Sequence, residues 1–441
     1  MPAETTNALP ADRSALGEFV HLHLHTEYSL LDGGNQIEKL VSRIAELGMK
    51  AVAITDHGNI FGAVALYSAC KEKGIKPILG VEAYVTPPGK PRTDRTYSGG
   101  GEGGYHLVLL AQNDTGWRNL MYLCSEAFLT GFYYKPRIDR EILAAHAEGL
   151  IAINGHLGSE IGDHLLAYHR TKDEKFWAAA EESARWHAGA FGVAGKNAGT
   201  DAGIPRFYIE LQHHVPEQNA INPLLIRLAK EHGLPLVCDN DAHFLRAQDH
   251  DSHDTLICIS TGKNKNDPDR MRYPPELYVK SPAEMKDLMA RYGADGEAAL
   301  ANTVRIAESC NVSLPIGANN APMVRVRRRE GAGGPAKKQR RGRWEGLPRW
   351  DDPVFKGDLT AWYNAYCAEF EVVPFAIPAG ATEEEKSVML AEAKAECDEA
   401  LRLLAEGGFR WRYERAVGEG GPLGGPTLRV GAGHPTQAPP P

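Results

Sequence analysis

Histidines alternate with aliphatic residues near the start of the chain, in the stretch FVHLHLHTEYSLLDGG at residues 19–34. A period of two predicts a strand, on which His21, His23 and His25 share one face. A single buried histidine is usually a satisfied core residue, but two at i and i+2 can direct two ring nitrogens at one ion. Asp32, a few residues on, adds a carboxylate oxygen. The stretch therefore indicates a metal site.

Further imidazoles and carboxylates of the same kind follow along the chain, and an Asp-x-His pair repeats the spacing of the opening stretch. The candidate ligands are His23, His25, Asp32, His57, Glu82, His106, His156, Asp241 and His243. Nine nitrogen and oxygen ligands without a thiolate exceed what one ion needs. We therefore expect two or three divalent ions, of Zn, Mn or Fe, that share bridging carboxylates. Such a cluster is suited to hydrolysis of phosphoesters.

The elements that carry these residues read as strand–helix–strand units. Helical spacing over 37–47 and 63–73 alternates with apolar runs over 51–55 and 77–85. Units of this length predict an α/β fold with a parallel sheet or barrel, in which ligands gather at the C-terminal ends of the strands. His106 does not fit this rule, because it opens its predicted strand instead of ending it.

The overall composition narrows the class of protein. The 441 residues are 43% hydrophobic and 24% charged, and the formal net charge of −8 argues against indiscriminate coating of nucleic acids. The polar N-terminus lacks the apolar core of a signal peptide, and no run approaches membrane-spanning length. Seven widely spaced cysteines without a Cys-x-x-Cys pair fit free thiols in a reducing compartment. We therefore expect a cytoplasmic protein with no membrane partner.

The sequence changes character beyond Pro315. Residues 325–343 hold nine Lys or Arg among glycines, which predicts a flexible, solvated linker, with phosphate contact as the alternative. Residues 382–406 have the apolar spacing of an amphipathic helix. The Gly/Pro-rich stretch 417–441 predicts a disordered tail.

Several motifs, in order along the chain, resemble one known family. HLHTEYSLLDG, AITDHGNIFGA, ILGVEAYV, HLVLLAQNDTGWRNL, GFYYKPRIDREIL, FYIELQHHVPEQ and DNDAHF are similar to the polymerase and histidinol phosphatase (PHP) domain. More specifically, they resemble the N-terminal PHP domain of the C-family replicative polymerases, the bacterial DNA polymerase III alpha subunits. The segment TGKNKNDPDRMRYPPELYVKSPAEM continues the resemblance, which covers roughly residues 18–320.

The resemblance implies an α/β fold, a distorted seven-stranded (β/α) PHP barrel with a trinuclear metal centre at its C-terminal mouth. It also implies the nine ligands named above, with Glu82, Asp241 and His57 as the residues at the chemistry and Glu82 as a bridge. The predicted divisions are a flexible N-terminus 1–17, the PHP domain 18–280, a helical segment toward a polymerase palm 281–320, a basic flexible insertion 321–360, a helical extension 361–416 and a disordered tail 417–441.

The function implied is metal-dependent hydrolysis of phosphodiesters, as a 3′–5′ exonuclease that acts on the primer 3′ end of DNA. A sliding clamp and a separate proofreading subunit would be partners in a full polymerase. Two alternatives stay open: a scaffold that stabilises the polymerase and docks the proofreading subunit, and a small-molecule phosphomonoesterase. A polymerase palm needs an Asp-x-Asp pair, and no such pair follows Pro315, so we expect no DNA synthesis by this chain.

Overall fold

The computed structural model describes residues 16–96, 103–192, 204–316, 324–329, 347–375, 377–378 and 381–418. The chain divides into two compact units, Met1–Ile316 and Gly317–Pro441. Most of the predicted flexible N-terminus and of the predicted disordered tail lies outside the described residues. Within the described ranges, no helix combines the length and apolar character needed to span a membrane.

The first unit alternates helices with short strands. Its strands are β1 Ala51–Ile54, β2 Lys76–Val85, β3 Tyr105–Ala111, β4 Arg137–Ile138, β5 Leu150–Asn154, β6 Phe207–Leu211 and β7 Leu236–Cys238. Its helices are α1 Ile37–Glu46, α2 Ala63–Glu72, α3 Asp114–Leu129, α4 Arg140–Ala145, α5 Glu160–Thr171, α6 Glu174–Phe191, α7 Pro216–His232, α8 His250–Thr261, α9 Pro282–Met289 and α10 Ala294–Ser309. The predicted boundaries of the first four elements lie within one residue of these.

The seven strands form one sheet in the order β1-β2-β3-β5-β6-β7, with β4 paired to β2. The α/β fold class predicted from the sequence is therefore confirmed. The sheet is mixed, however, because β3 runs antiparallel to both β2 and β5. No helix lies among the described residues of the connection between β2 and β3, and an antiparallel neighbour needs no helical crossover. The sheet therefore departs from the predicted parallel arrangement at β3 alone.

The opening stretch runs between β1 and the segment after β7, where Leu24 bridges Ala242 and its carbonyl accepts from the Thr55 N–H. It is extended but is not a regular strand, contrary to the prediction. Side chains supplement the few backbone bonds: Val20 N–H donates to Thr303 Oγ1 at 3.1 Å and Leu24 N–H to Thr55 Oγ1 at 2.8 Å. The segment therefore closes the curled sheet through backbone and side-chain hydrogen bonds together.

The inner face of the sheet changes character along each strand. Ile78, Leu110 and Tyr208 are buried in one apolar cluster, which helix α10 covers with Ile306 and Ala307. Two or four residues further toward the opposite rim, the same faces of β2, β3 and β6 carry polar side chains. The period of two thus places an apolar plug at one end of the barrel and acids and imidazoles at the other.

The second unit consists of β8 Val324–Arg328, α11 Leu359–Ala368, β9 Phe370–Pro374 and α12 Glu383–Gly418. β8 pairs antiparallel with β9, so the predicted flexible insertion at 321–360 begins with a strand. The reason is that its arginines are neutralised: Arg325 pairs with Glu396 and Arg327 with Glu371. The remainder of the basic stretch, 330–346, lies outside the described residues.

Thr55 gives a direct test of how the sheet is closed. Thr55→Val keeps the side-chain shape but leaves the buried Leu24 N–H without that acceptor, so we expect a loss of about 1–3 kcal/mol in the free energy of unfolding. Urea titration of the protein measures it. Thr255→Val, whose exposed hydroxyl donates to the Asp251 carbonyl on α8, is the control and should change stability by less than about 0.5 kcal/mol. Equal effects of the two substitutions would contradict closure by side chains.

Candidate metal centre

All nine predicted ligands lie at the polar rim of the barrel. His23 and His25 stand in the opening segment, Asp32 in the turn after it, His57 after β1, Glu82 on β2, His106 on β3, His156 after β5, and Asp241 and His243 after β7. The antiparallel direction of β3 explains His106, because the start of a reversed strand lies at the same rim as the ends of its neighbours. His106 pairs with Tyr84 near the end of β2.

Four groups of three residues bring their donor atoms within 4.8 Å of one another. These are His25, His57 and His243; His23, Glu82 and His156; His23, His25 and Asp241; and His57, Glu82 and His106. Asp32 is outside these groups but its Oδ2 lies 3.2 Å from His57 Nε2. His21 is not brought to the cluster, because its ring bonds the Lys280 carbonyl at 2.9 Å.

Glu82 is the centre of the cluster. Its Oε1 lies 3.0 Å from His106 Nδ1, 3.1 Å from His156 Nε2 and 3.3 Å from His23 Nε2. Its Oε2 lies 2.7 Å from His57 Nδ1 and 3.4 Å from His25 Nε2. Glu82 is only 2% exposed, and five imidazole rings lie beside its carboxylate. This arrangement suits the carboxylate to coordinate more than one ion.

Asp241 faces Glu82 across the cluster, and its Oδ1 lies 3.1 Å from His25 Nε2 and 3.3 Å from His23 Nε2. Its backbone has a φ of 46°, in the left-handed region that non-glycine residues rarely adopt. Such strain, of order 1–3 kcal/mol, persists at functional sites where the surroundings over-determine it. The backbone after β7 is thus held in a conformation that places this carboxylate at the ligands.

The donor atoms fit metal ions better than they fit one another. Buried side-chain atoms without a hydrogen-bond partner include His23 Nε2, His25 Nε2, His57 Nδ1, Glu82 Oε2, His156 Nε2, Asp241 Oδ1 and His243 Nε2. Buried polar atoms are almost always satisfied, so a convergent set of unsatisfied ones requires a ligand. Two ligands held at about 2.1 Å by one tetrahedral ion stand about 3.4 Å apart, which matches the separations around Glu82. The cluster therefore suits a multinuclear metal site, as predicted.

The charges of the metal-free cluster compensate one another. Burial alone would raise the pKa of Glu82, but His106, His57 and His23 hold it well below its usual range. The same opposition applies to His156: burial would lower its pKa, and its hydrogen-bonded carboxylates raise it to about 9. His25 differs, because burial lowers its pKa to about 3. A neutral imidazole is the form that binds a metal.

Residues that sequence reasoning missed hold the ligands in place. Glu210, in the middle of β6 and fully buried, accepts from His23 Nδ1 at 3.0 Å and His156 Nδ1 at 3.2 Å. Tyr273 donates to Asp32 Oδ2 at 2.9 Å and stacks on His243. The signal for Glu210 was present, since a glutamate in the apolar run FYIEL shares the inner face with Tyr208.

A cleft of about 420 Å³ opens over the cluster, within the size range of small-molecule sites. Besides the ligands, its lining includes apolar side chains, amides, Asp163 and His214. The apolar side chains are Leu157, Val215, Pro274 and Leu277, with Tyr105 and Tyr273, and the amides are Gln212 and Gln218. No lysine or arginine is among the described residues that line it. Positive charge for an anionic substrate must therefore come from bound ions or from protonated histidines of the cluster.

Comparison with known proteins agrees with this geometry. The PHP domain family model matches residues 21–214. The DNA polymerase III subunit alpha of Treponema pallidum is 42% identical over 310 residues, 70% of this chain and 24% of that protein. The subunit alpha of Thermus aquaticus is 42% identical over 305 residues, 68% of this chain and 23% of that protein.

Residues 21–214 therefore match the PHP domain family. The relatives named above are DNA polymerase III alpha subunits, and both parts of the resemblance predicted from the motifs are confirmed. The chain spans about a quarter of the length of these relatives. A two-domain protein from Bacteroides vulgatus that contains a predicted PHP-like metal-dependent phosphoesterase overlaps with a TM-score of 0.32 at 13% identity, covering 74% of this chain and 84% of its own. That overlap is too weak to add to the assignment.

His156 yields a test of the cluster's electrostatics in the metal-free protein. Its pKa rises from 6.5 to about 9 on folding, so its contribution to stability is complete below pH 6.5 and is lost as the pH rises through 9. In chelator, the wild-type melting temperature should therefore fall more steeply between pH 6.5 and 9.5 than that of His156→Gln. Thermal melts at several pH values measure the difference, and parallel curves would contradict it.

Proposed function

We propose that this chain is the PHP portion of a DNA polymerase III alpha subunit and hydrolyses phosphodiester bonds as a 3′–5′ exonuclease. Its substrate would be the 3′ end of a DNA primer, and its cofactors two or three divalent ions of Zn, Mn or Fe. The observation that supports this best is the convergence of unsatisfied buried donor atoms on Glu82 and Asp241 at the floor of a cleft.

Divalent ions bound at such a centre supply Lewis acidity toward phosphate oxygens and water. The protein's own part is positional. Glu82 and Asp241 each lie within 3.4 Å of the Nε2 atoms of both His23 and His25, so the two carboxylates can each serve more than one ion. His57 joins Asp32 to Glu82 through its two ring nitrogens, at 3.2 and 2.7 Å. These contacts fix the ion positions before substrate arrives, which removes reorganisation from the reaction.

The cleft favours a nucleotide over a small polar phosphomonoester. Its apolar wall of Leu157, Val215 and Leu277 offers a surface for a base or sugar beside the ions. Two amides, Gln212 and Gln218, line the same cleft, and one hydrogen bond joins them, from Gln218 Nε2 to Gln212 Oε1. A single phosphodiester carries one negative charge, which the ions can neutralise without help from lysine or arginine.

The number of metal ions bound per chain tests the proposed metal centre. We expect the purified protein, loaded with Zn or Mn and freed of excess metal, to retain two or three ions per chain, because nine ligands converge on one site. Elemental analysis with a protein concentration from amino-acid hydrolysis measures the ratio. Fewer than one ion per folded chain would refute the proposed centre.

The catalytic proposal is tested by removing two adjacent ligands. His23→Ala with His25→Ala should reduce removal of a mispaired 3′ nucleotide by at least about a thousandfold and lower the melting temperature of the loaded protein. Glu82 and Asp241 would lose two histidines that they share. Each ion that no longer binds would also stop stabilising the folded state, a loss of about 2.7 kcal/mol in the free energy of unfolding when the free ion is at a hundredfold excess over its dissociation constant. Gel assays on a labelled primer measure the rate.

The matched control replaces two histidines outside the cluster, His146→Ala with His169→Ala, and should cleave at the wild-type rate. An aryl phosphomonoester, assayed beside the primer, separates the phosphatase alternative. Wild-type cleavage by the ligand double variant would refute the catalytic assignment. A wild-type protein that binds metal and never cleaves DNA, while the ligand variant melts early, would favour the scaffold.

A further inference from the structure

Glu210 supports two ligand histidines that belong to the same group of donors. His23 and His156, with Glu82, form one of the four groups whose donor atoms converge. Both place Nδ1 on Glu210, at 3.0 and 3.2 Å, and both leave Nε2 facing Glu82, at 3.3 and 3.1 Å. One carboxylate therefore orients two of the three ligands at one ion position.

The other ion positions are supported differently. His25 Nδ1 bonds the hydroxyl of Ser29 at 3.0 Å, and His243 Nδ1 bonds the backbone carbonyl of Asp241 at 2.8 Å. A hydroxyl and a backbone carbonyl support those two rings, whereas a fully buried carboxylate, that of Glu210, supports His23 and His156. A carboxylate behind a ligand histidine fixes its tautomer and raises its basicity.

We propose that Glu210 is a positioning residue that builds one particular ion position, the one bounded by His23, Glu82 and His156. It holds the proton of each ring on Nδ1, so that both Nε2 atoms face the ion as acceptors. The group of His25, His57 and His243 and the group of His57, Glu82 and His106 contain neither histidine that Glu210 holds. The group of His23, His25 and Asp241 shares only His23 with this position. This inference rests on the proposed metal centre but not on exonuclease activity.

The hydrogen-bond chain behind Glu210 has a fixed direction. Backbone N–H of His214 donates to Gln218 Oε1 at 2.5 Å, which leaves the amide nitrogen of Gln218 to donate to Gln212 Oε1 at 2.8 Å. Gln212 must then present its own amide nitrogen to Glu210 Oε1, at 2.9 Å. The oxygen of Glu210 nearest His23 is therefore always met by a donor.

This direction predicts what Glu210→Gln does. The new amide must turn its oxygen toward Gln212 and His23 and its NH₂ toward His156. His156 then has to accept at Nδ1, and its proton moves to Nε2, where it faces the ion position. The variant keeps the shape of the core but loses one ligand of this position.

The experiment counts ions rather than cleaved DNA. Wild-type protein and Glu210→Gln are equilibrated at the same buffered free Zn²⁺, separated from excess metal and analysed for Zn and protein. We expect Glu210→Gln to hold one ion fewer per chain, with an affinity for that ion about 10–100-fold weaker and the others unchanged. Glu160→Gln, which removes a buried carboxylate that pairs with Arg140 at 2.7 Å, should keep the wild-type count.

A double variant shows whether Glu210 and His156 act on the same ion. His156→Gln alone should lose that ion, and adding Glu210→Gln should lose no further one, since residues that share one interaction are not additive. Wild-type count and affinity in Glu210→Gln would overturn the inference, as would loss of a second ion in the double variant or loss of the whole cluster in the single variant.

The wild-type protein provides a test that does not depend on folding of the variants. In ¹⁵N-histidine spectra of the Zn-loaded protein, His23 and His156 should both carry their proton on Nδ1. A proton on Nε2 of either ring would overturn the inference. Because neither measurement uses DNA cleavage, an inactive wild-type protein would refute the proposed exonuclease and leave this inference standing.

Discussion

A carboxylate in the interior of a protein must be compensated, and the polar half of this barrel is organised around that requirement at Glu82. Its side chain points into the barrel from β2 because Ile78, four residues earlier, points the same way into the apolar plug. An unpaired charge there would cost several kcal/mol. Five imidazoles from different segments of the chain surround it instead. Bound ions would compensate the charge of Glu82 in place of the protons on these imidazoles. Metal binding and histidine protonation are therefore two ways to stabilise the same buried carboxylate.

The elements that carry the site follow from periodicity. A period of two in the sequence predicts which side chains lie on the inner face of the strands. Apolar residues at helical spacing predict α1, and its Ile37, Leu40 and Val41 are buried as expected. Strand direction was less accessible, because the connection before β3 has no pattern that marks an antiparallel return. That one reversal accounts for His106, which strand-end reasoning alone would have rejected.

Other parts of the site could not be read from sequence for physical reasons. Ligand types are visible as residue letters, whereas the left-handed backbone of Asp241 is imposed by its surroundings. Glu210 carried a signal as a lone acid in an apolar run, but that signal does not show which ligands the carboxylate supports. The prediction of a regular strand in the opening segment was wrong for a related reason. Several of its N–H groups donate to side chains of residues far along the chain, among them Thr303.

The bridge between Leu24 and Ala242 also bears on the order of events during synthesis. Contacts between segments so distant in sequence are entropically slow to form and raise the contact order of the domain. A ribosome releases His23 and His25 long before it releases Asp241 and His243. The metal centre can therefore be completed only after nearly the whole first unit has left the exit tunnel. Until then, the early histidines are exposed on a nascent chain, where they would bind metal weakly and reversibly.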